Sequence, residues 1–435
     1  MKNLKFSNST LLNLIFASII PLLIWGPFFP DLIVSISALF FLYYIFKNKF
    51  YYFLNNKILI IFFIFCAYCT LLSLFVAEEM MISFESSLFY FRIGLFSCFI
   101  WYLIDKDKTI LTYFYYSLVS CFLVLVIDGY IQFFTDENIF GWPKGHHYRI
   151  SSFFKDELIM GSFLSRLFPL LFALFLVKKK NQIENYFIGL LFILVDVLIF
   201  MTGERTSFVF LNISTLFIII LIKDYKKFRV ITFCTAIFLI LILSFNFSKL
   251  SNRMLNKTVN EMGLKNIEMN LNKLGLESIE QKSTVEPKQF VIFTPAHDSL
   301  IRTAFEMFKD QPVLGHGPKM FRVMCSNKKY QVGIKPCDTH PHNFYVQLLA
   351  ETGLVGFLFL FSLFVSVLYI SLEQLRCIIF KKKRPLTDYQ ICLLACIFIT
   401  IWPISPNGNF FNNWLMIIYS LPIGFYLQSI YGKKT

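Results

Sequence analysis

Apolar runs of eighteen or more residues recur along the chain, and each is long enough to cross a bilayer as a helix. In hydrocarbon every backbone N–H and C=O must find its partner inside the protein, so repeated runs of this length commit the chain to a helical bundle. Composition agrees. Of 435 residues, 56% are hydrophobic and 16% charged, where a soluble domain has about 45–50% and about 25%. About twelve spans of roughly 20 residues would use some 240 positions, close to that hydrophobic share. A soluble enzyme, a disulfide-stapled secreted scaffold and a disordered chain are excluded. The expected spans are 11–29, 31–46, 58–76, 87–104, 109–134, 158–177, 185–201, 206–222, 230–247, 343–370, 388–404 and 413–430. The reading is an all-α integral membrane protein of about 12 transmembrane helices. Nine fall in 1–247 and three in 343–435, with one large extracytoplasmic loop, 248–342, between the ninth and tenth.

Charge orients the bundle. Lys and Arg number 41 against 27 Asp and Glu, a net +14. In a membrane protein such an excess first marks the cytoplasmic loops, and no nucleic-acid partner is expected. With the N-terminus inside, twenty-one Lys/Arg fall on its side, including Lys178–Lys180, Lys223, Lys226, Lys227, Arg229 and Lys381–Arg384. The short outer loops hold four: Lys144, Arg149, Lys155 and Arg205. Both termini are therefore expected inside. Lys2 and Lys5 precede an apolar stretch with no small-residue cleavage site, which reads as an uncleaved first helix.

Polar residues cluster toward the outer side. Arg92, Asp128, Arg166, Asp196 and Glu351 fall inside spans, each roughly 8–12 Å from the outer end at 1.5 Å per residue. Intramembrane charges face a cavity or a partner. A shared outward cavity is expected, with ion pairing, such as Arg166 with Asp196, as the competing reading. All six His (His146, His147, His297, His316, His340 and His342) fall outside. Arg205 sits in a tight outer turn, Thr202-Gly203-Glu204-Arg205-Thr206.

The loop 248–342 carries 14 Lys/Arg and 9 Asp/Glu. Its segment 250–279 has apolar residues at helical spacing, suited either to a membrane-surface helix or to a flexible loop. Asp298 is a plausible N-cap for a helix with Ile301, Ala304, Phe305 and Phe308 on one face, ending before Pro312. Gly315-His316-Gly317-Pro318 is a turn, and Pro318 can open a second helix. Eight cysteines lie in or beside spans and read as small packing hydrophobes. Cys66-x-x-Cys69 has no second ligand pair. Cys325 and Cys337, with eleven residues between them, are a candidate disulfide if the loop lies in an oxidising compartment. A zinc site from His340 and His342 with His146 or His147 lacks a supporting Cys or acidic cluster. No metal and no cofactor are expected.

Several motifs together resemble the bacterial O-antigen ligases and the related O-antigen polymerases. His342-Asn343, then nine residues, then Gly353-Leu354-Val355-Gly356 resembles their signature, within the wider string His340-Pro341-His342-Asn343 to Gln347, Glu351 and Gly353. Arg302 followed by Pro312-Val313-Leu314-Gly315-His316-Gly317 resembles their Arg, helix and Gly-x-Gly turn. Thr202–Arg205 resembles their short outer turn with an Arg, and Arg149-Ile150-Ser151-Ser152-Phe153, leading to Gly161 and Pro169, their entry to the sixth span. Departures are Phe357-Leu358 after Gly356, and Lys155-Asp156 where small residues or Pro-Asn are common.

The resemblance implies a GT-C-like glycosyltransferase. It would move a glycan from an undecaprenyl-diphosphate carrier to a lipid A-core acceptor at the periplasmic face of the inner membrane. Close alternatives are a polymerase extending a growing glycan, and a protein O-oligosaccharyltransferase. A lipid-linked glycan transporter is the alternative of another class. Such transfer needs a base near neutral pKa for the acceptor hydroxyl, usually His. It also needs always-charged donors for the leaving diphosphate. By motif match His342 is the expected catalytic base and Arg205 and Arg302 the diphosphate ligands; His340, Arg149, Arg166, Asp196 and Glu351 are candidate supporting or cavity residues.

Overall fold

A computed structural model describes residues 8–145, 149–178, 181–256 and 293–432. Its helices in chain order are α1 (Asn8–Ala17), α2 (Ile19–Trp25), α3 (Phe28–Asn48), α4 (Lys57–Phe75), α5 (Met80–Ser87), α6 (Phe91–Lys106), α7 (Ile110–Thr135), α8 (Met160–Val177), α9 (Gln182–Met201), α10 (Arg205–Leu221), α11 (Lys226–Asn246), α12 (Pro295–Asp310), α13 (Phe344–Ile379), α14 (Asp388–Thr400) and α15 (Asn413–Tyr431). Among the described residues there is no strand beyond two isolated bridges. Among the described residues nine helical segments are long and apolar enough to cross a membrane, α5 and α6 forming one of them; Ser9–Trp25, α10 and α14 are shorter. Each expected apolar run coincides with one of these segments.

Local chemistry sets the breaks. Pro21 has no N–H to donate to Ala17, and the helix interrupts between α1 and α2. The freed Ala17 carbonyl accepts from Ser117 Oγ at 2.6 Å instead. Lipid tails are as apolar as leucine, so helix association rests on close packing and on polar contacts. α8 is the central helix, with Phe163, Phe168, Phe172 and Phe175 all fully buried. α6 and α15 cross so closely that a Cβ on Gly424 would lie 2.8 Å from Ile100 Cβ.

The expected intramembrane charges are dispersed rather than gathered in one cavity. Arg92 pairs with Asp31 at 2.7 Å. Asp128 accepts from Ile139 N at 2.9 Å and from the Ser152 hydroxyl, tying down the α7–α8 connection. Asp196 pairs with Arg229 through two contacts of 2.7 and 3.1 Å. Asp196 is thus not a cavity residue, and Arg229, counted above with the cytoplasmic cations, is fully buried in α11. Ion pairing therefore holds for Arg92 and Asp196, the latter with Arg229 in place of Arg166, because Arg229 reaches inward from the first turn of its helix.

In the outer region α12 begins one turn earlier than expected. Thr294, not Asp298, caps it, accepting from His297 N at 3.2 Å. The buried face is Ser299, Leu300, Thr303, Ala304 and Met307, whereas Phe305 is exposed. The polar members of that face bind the segment 332–335: Ser299 Oγ donates to Val332 O, and Val332 N donates to Thr303 Oγ1. Pro318 opens no helix. Lys319 adopts φ +60°, and only one turn, Phe321–Met324, follows. Cys325 and Cys337 are joined by a disulfide with Cα atoms 5.1 Å apart. The amphipathic segment 250–279 lies outside the described residues beyond Asn256, as do His146 and His147.

Candidate active site

α13 breaks at Gly353, whose φ is +64°. A break leaves carbonyls and an amide without helical partners. The Pro312–Gly317 turn satisfies them: His316 N donates to Ala350 O at 3.1 Å, Gly317 N to Glu351 O at 2.7 Å, and Leu354 N to Pro312 O at 2.9 Å. The fit has no room for side chains. A Cβ on Gly353 would meet Val313 O at 2.2 Å, and one on Gly315 would meet the Glu351 carbonyl carbon at 2.5 Å. Glu351 completes the lock, accepting from Lys319 N at 3.0 Å, Phe321 N at 3.1 Å and Gln347 Nε2 at 3.0 Å. Glu351 therefore holds the outer region to the bundle and does not line a cavity.

This docking places His342 at the head of α13. Asn343 caps the helix, accepting from Tyr345 N and Val346 N at 3.0 and 3.1 Å, and its amide donates to Pro403 O at 2.8 Å. His342 itself takes φ +56°, a conformation costly for a residue with a side chain. Asn407 N donates to the His342 carbonyl at 2.7 Å and fixes it there.

The His342 ring meets the His340 ring at 4.1 Å between centroids and the His297 ring at 5.0 Å. Its Nε2 lies 4.0 Å from Asp338 Oδ2. Burial pushes the His342 imidazole below the ordinary histidine range, and Asp338 pulls it part of the way back. Burial, and then the neighbouring His342, drive His340 down to about 3. Both rings are neutral at pH 7, with a lone pair free to accept a proton. Among the described residues no group of three or more His, Cys, Asp or Glu suits a metal ion.

A second turn arms the opposite wall. Glu204 accepts from Gly161 N at 2.8 Å, Ser162 N at 3.0 Å and Ser207 Oγ at 2.8 Å, so its carboxylate caps α8. A Cβ on Gly161 would lie 2.7 Å from Thr202 Oγ1. This contact seats the Thr202–Glu204 turn and makes Arg205 the first residue of α10. Arg149 donates to Leu158 O at 2.9 Å and stands 3.7 Å from Glu204. Arg253 Nε donates to Gly203 O at 3.0 Å.

These walls line a cavity of about 1320 Å³ at the helix ends that face α12 and the Pro312–Gly317 turn. His297, His340 and His342 line it, together with Arg149, Lys155, Arg166, Arg205, Arg253, Lys319 and Arg322. Among the described residues only Asp156, Glu157 and Glu204 oppose those seven cations, and Trp25, Phe153, Phe154 and Trp414 supply apolar wall. Of the residues expected at the site, His342, His340, Arg205, Arg149 and Arg166 come together. Arg302 does not line the cavity; it pairs with Asp298 at 2.7 Å one turn away on α12. His297, Arg253, Lys319 and Arg322 were missed. All four lie in the segment 248–342, whose approach to the bundle no local pattern encodes, although its net positive charge was the signal.

The cavity can hold a large, acceptor-rich anion beside neutral imidazoles. No curated protein sequence matches the chain. Residues 188–361, from α9 to the middle of α13, match the model of the family described as O-antigen ligase, and this match supports an O-antigen ligase family assignment.

Proposed function

We propose that the protein transfers a glycan from an undecaprenyl-diphosphate carrier to a lipid A-core acceptor, at the periplasmic face of the bacterial inner membrane. One observation carries this reading: a neutral, conformationally fixed His342 shares a single cavity with seven cationic side chains. An acceptor hydroxyl oxygen attacks the anomeric carbon while its proton passes to the His342 ring. The bond from that carbon to the diphosphate oxygen breaks, and the electron pair leaves with the carrier. The negative charge gained there meets guanidinium and ammonium donors, which stabilise it in a partly dry site. Arg205 keeps its assigned role. In this reading Arg253, Lys319 and Arg322, which line the cavity, take the role expected of Arg302. His340 packs against the base. The apolar wall suits a prenyl chain whose head group enters from the membrane.

The test is transfer by purified protein supplied with an undecaprenyl-diphosphate glycan, with and without lipid A-core. Product that requires lipid A-core, and is lost in His342→Ala and Arg205→Ala, is the expected result. Lengthened glycan from donor alone would instead identify a polymerase. Full activity in both variants would remove the mechanism.

A further inference from the structure

Arg166 differs from the other cavity cations in depth and in partners. It lies in the second turn of α8 and is 4% exposed. Its Nη2 donates to Asn407 Oδ1 at 3.1 Å and its Nε to Ser162 Oγ at 3.3 Å. The guanidinium rests against the rings of Phe210 and Tyr419, 4.7 and 4.9 Å from their centroids. Among the described residues it makes no ion pair. Its Nη1 is buried without a partner, and so is Nδ2 of Asn407, itself 5% exposed. Both residues line the cavity.

Each orphan is a hydrogen-bond donor. A buried donor without an acceptor loses its hydration with nothing in return, and a buried charge without a counter-ion costs more. Cation–π contact with two rings offsets only part of this. What the site lacks is negative charge carrying at least two acceptor atoms, which is the chemistry of an oxyanion.

We propose that Arg166 and Asn407 form an oxyanion subsite in the cavity, filled by a phosphate or carboxylate oxygen of a bound ligand. The subsite is joined to the reacting residue, because the Asn407 backbone N–H holds the His342 carbonyl. An anion bound to the Asn407 side chain therefore steadies the loop that fixes His342. The source of the oxyanion is either the carrier's diphosphate or an acidic group on the glycan. Only that assignment rests on the glycan-transfer reading.

The decisive variant is Asn407→Asp. Its carboxylate would pair with Arg166 internally and occupy the subsite with nearly the same side-chain volume. Binding of sugar-free undecaprenyl diphosphate, and of undecaprenyl diphosphate bearing an acidic glycan, would be measured on purified protein alongside its melting temperature. We expect the variant to melt higher than wild type and to bind about tenfold more weakly, the loss of one charge-assisted contact. A loss with the sugar-free carrier assigns the subsite to the diphosphate; a loss confined to the acidic glycan assigns it to the sugar. A higher melting temperature with unchanged affinity for both ligands would overturn the proposal and leave Arg166 a structural cation. Wild-type binding without glycan transfer would count against the proposed reaction and not against the subsite.

Discussion

His342 is held in a left-handed backbone conformation by contacts on both sides, with Asp338 as the nearest carboxylate. Burial opposes ionisation of Asp338, but the Lys335 ammonium and the Thr339 N–H outweigh it, and its carboxyl stays below the usual range. Asp338 is thus charged at neutral pH and favours imidazolium at His342. A base works only when unprotonated, so transfer should fall as pH drops through the His342 pKa. In Asp338→Asn the imidazolium loses its carboxylate and that pKa falls further. The acid limb of kcat/KM should then move to lower pH, with a lower plateau if Asp338 also orients the ring. A limb that stays in place in the pH–rate profile would remove Asp338 from the proton transfer.

Individual elements show what the sequence could and could not disclose. Helix positions were legible because an apolar run in a membrane protein has few alternatives. The motif around His342 was legible as a pattern, but the jobs within it were not. Glu351, expected at the site, instead joins Gly315 and Gly353 in clamping the turn onto the broken helix. The buried face of α12 was misread because apolar side chains in such a protein need not point to the core. Asp196 was misassigned because its partner lies 33 residues away on another helix. That pair yields a prediction. Arg229→Met leaves the Asp196 carboxylate buried alone, which should cost about 3–5 kcal/mol. Adding Asp196→Leu to it should restore most of the lost thermal stability in detergent. Equal destabilisation by the single and double variants would show that the pair contributes packing rather than charge compensation.

Two properties of the whole molecule follow from its placement in the membrane. If the outer region faces an oxidising compartment, the Cys325–Cys337 disulfide forms in the cell, and alkylated protein should run faster unreduced than reduced on a gel. The second property is the number of crossings. Among the described residues nine segments meet the length and hydropathy needed to span, and three, Ser9–Trp25, α10 and α14, fall short. At 1.5 Å per residue α14 covers roughly 20 Å, against a hydrocarbon core of about 30 Å. Non-helical backbone is tolerated at membrane depth where protein covers it or where it lines a cavity. The segment after α14 meets that condition: Ser405, Asn407, Asn409, Phe410 and Phe411 are buried, and Asn407 and Asn409 line the cavity. We infer that the short helices cross too, with cavity-lining loops supplying the missing depth. Twelve crossings return the C-terminus to the side of the N-terminus, with the basic cluster Lys381–Arg384; nine would leave the termini on opposite sides. A green fluorescent protein fused after Thr435 should therefore fluoresce, and alkaline phosphatase fused there should be inactive. Active phosphatase at that position would break the even count, and with it the proposed placement of His342 and the cavity on the periplasmic side.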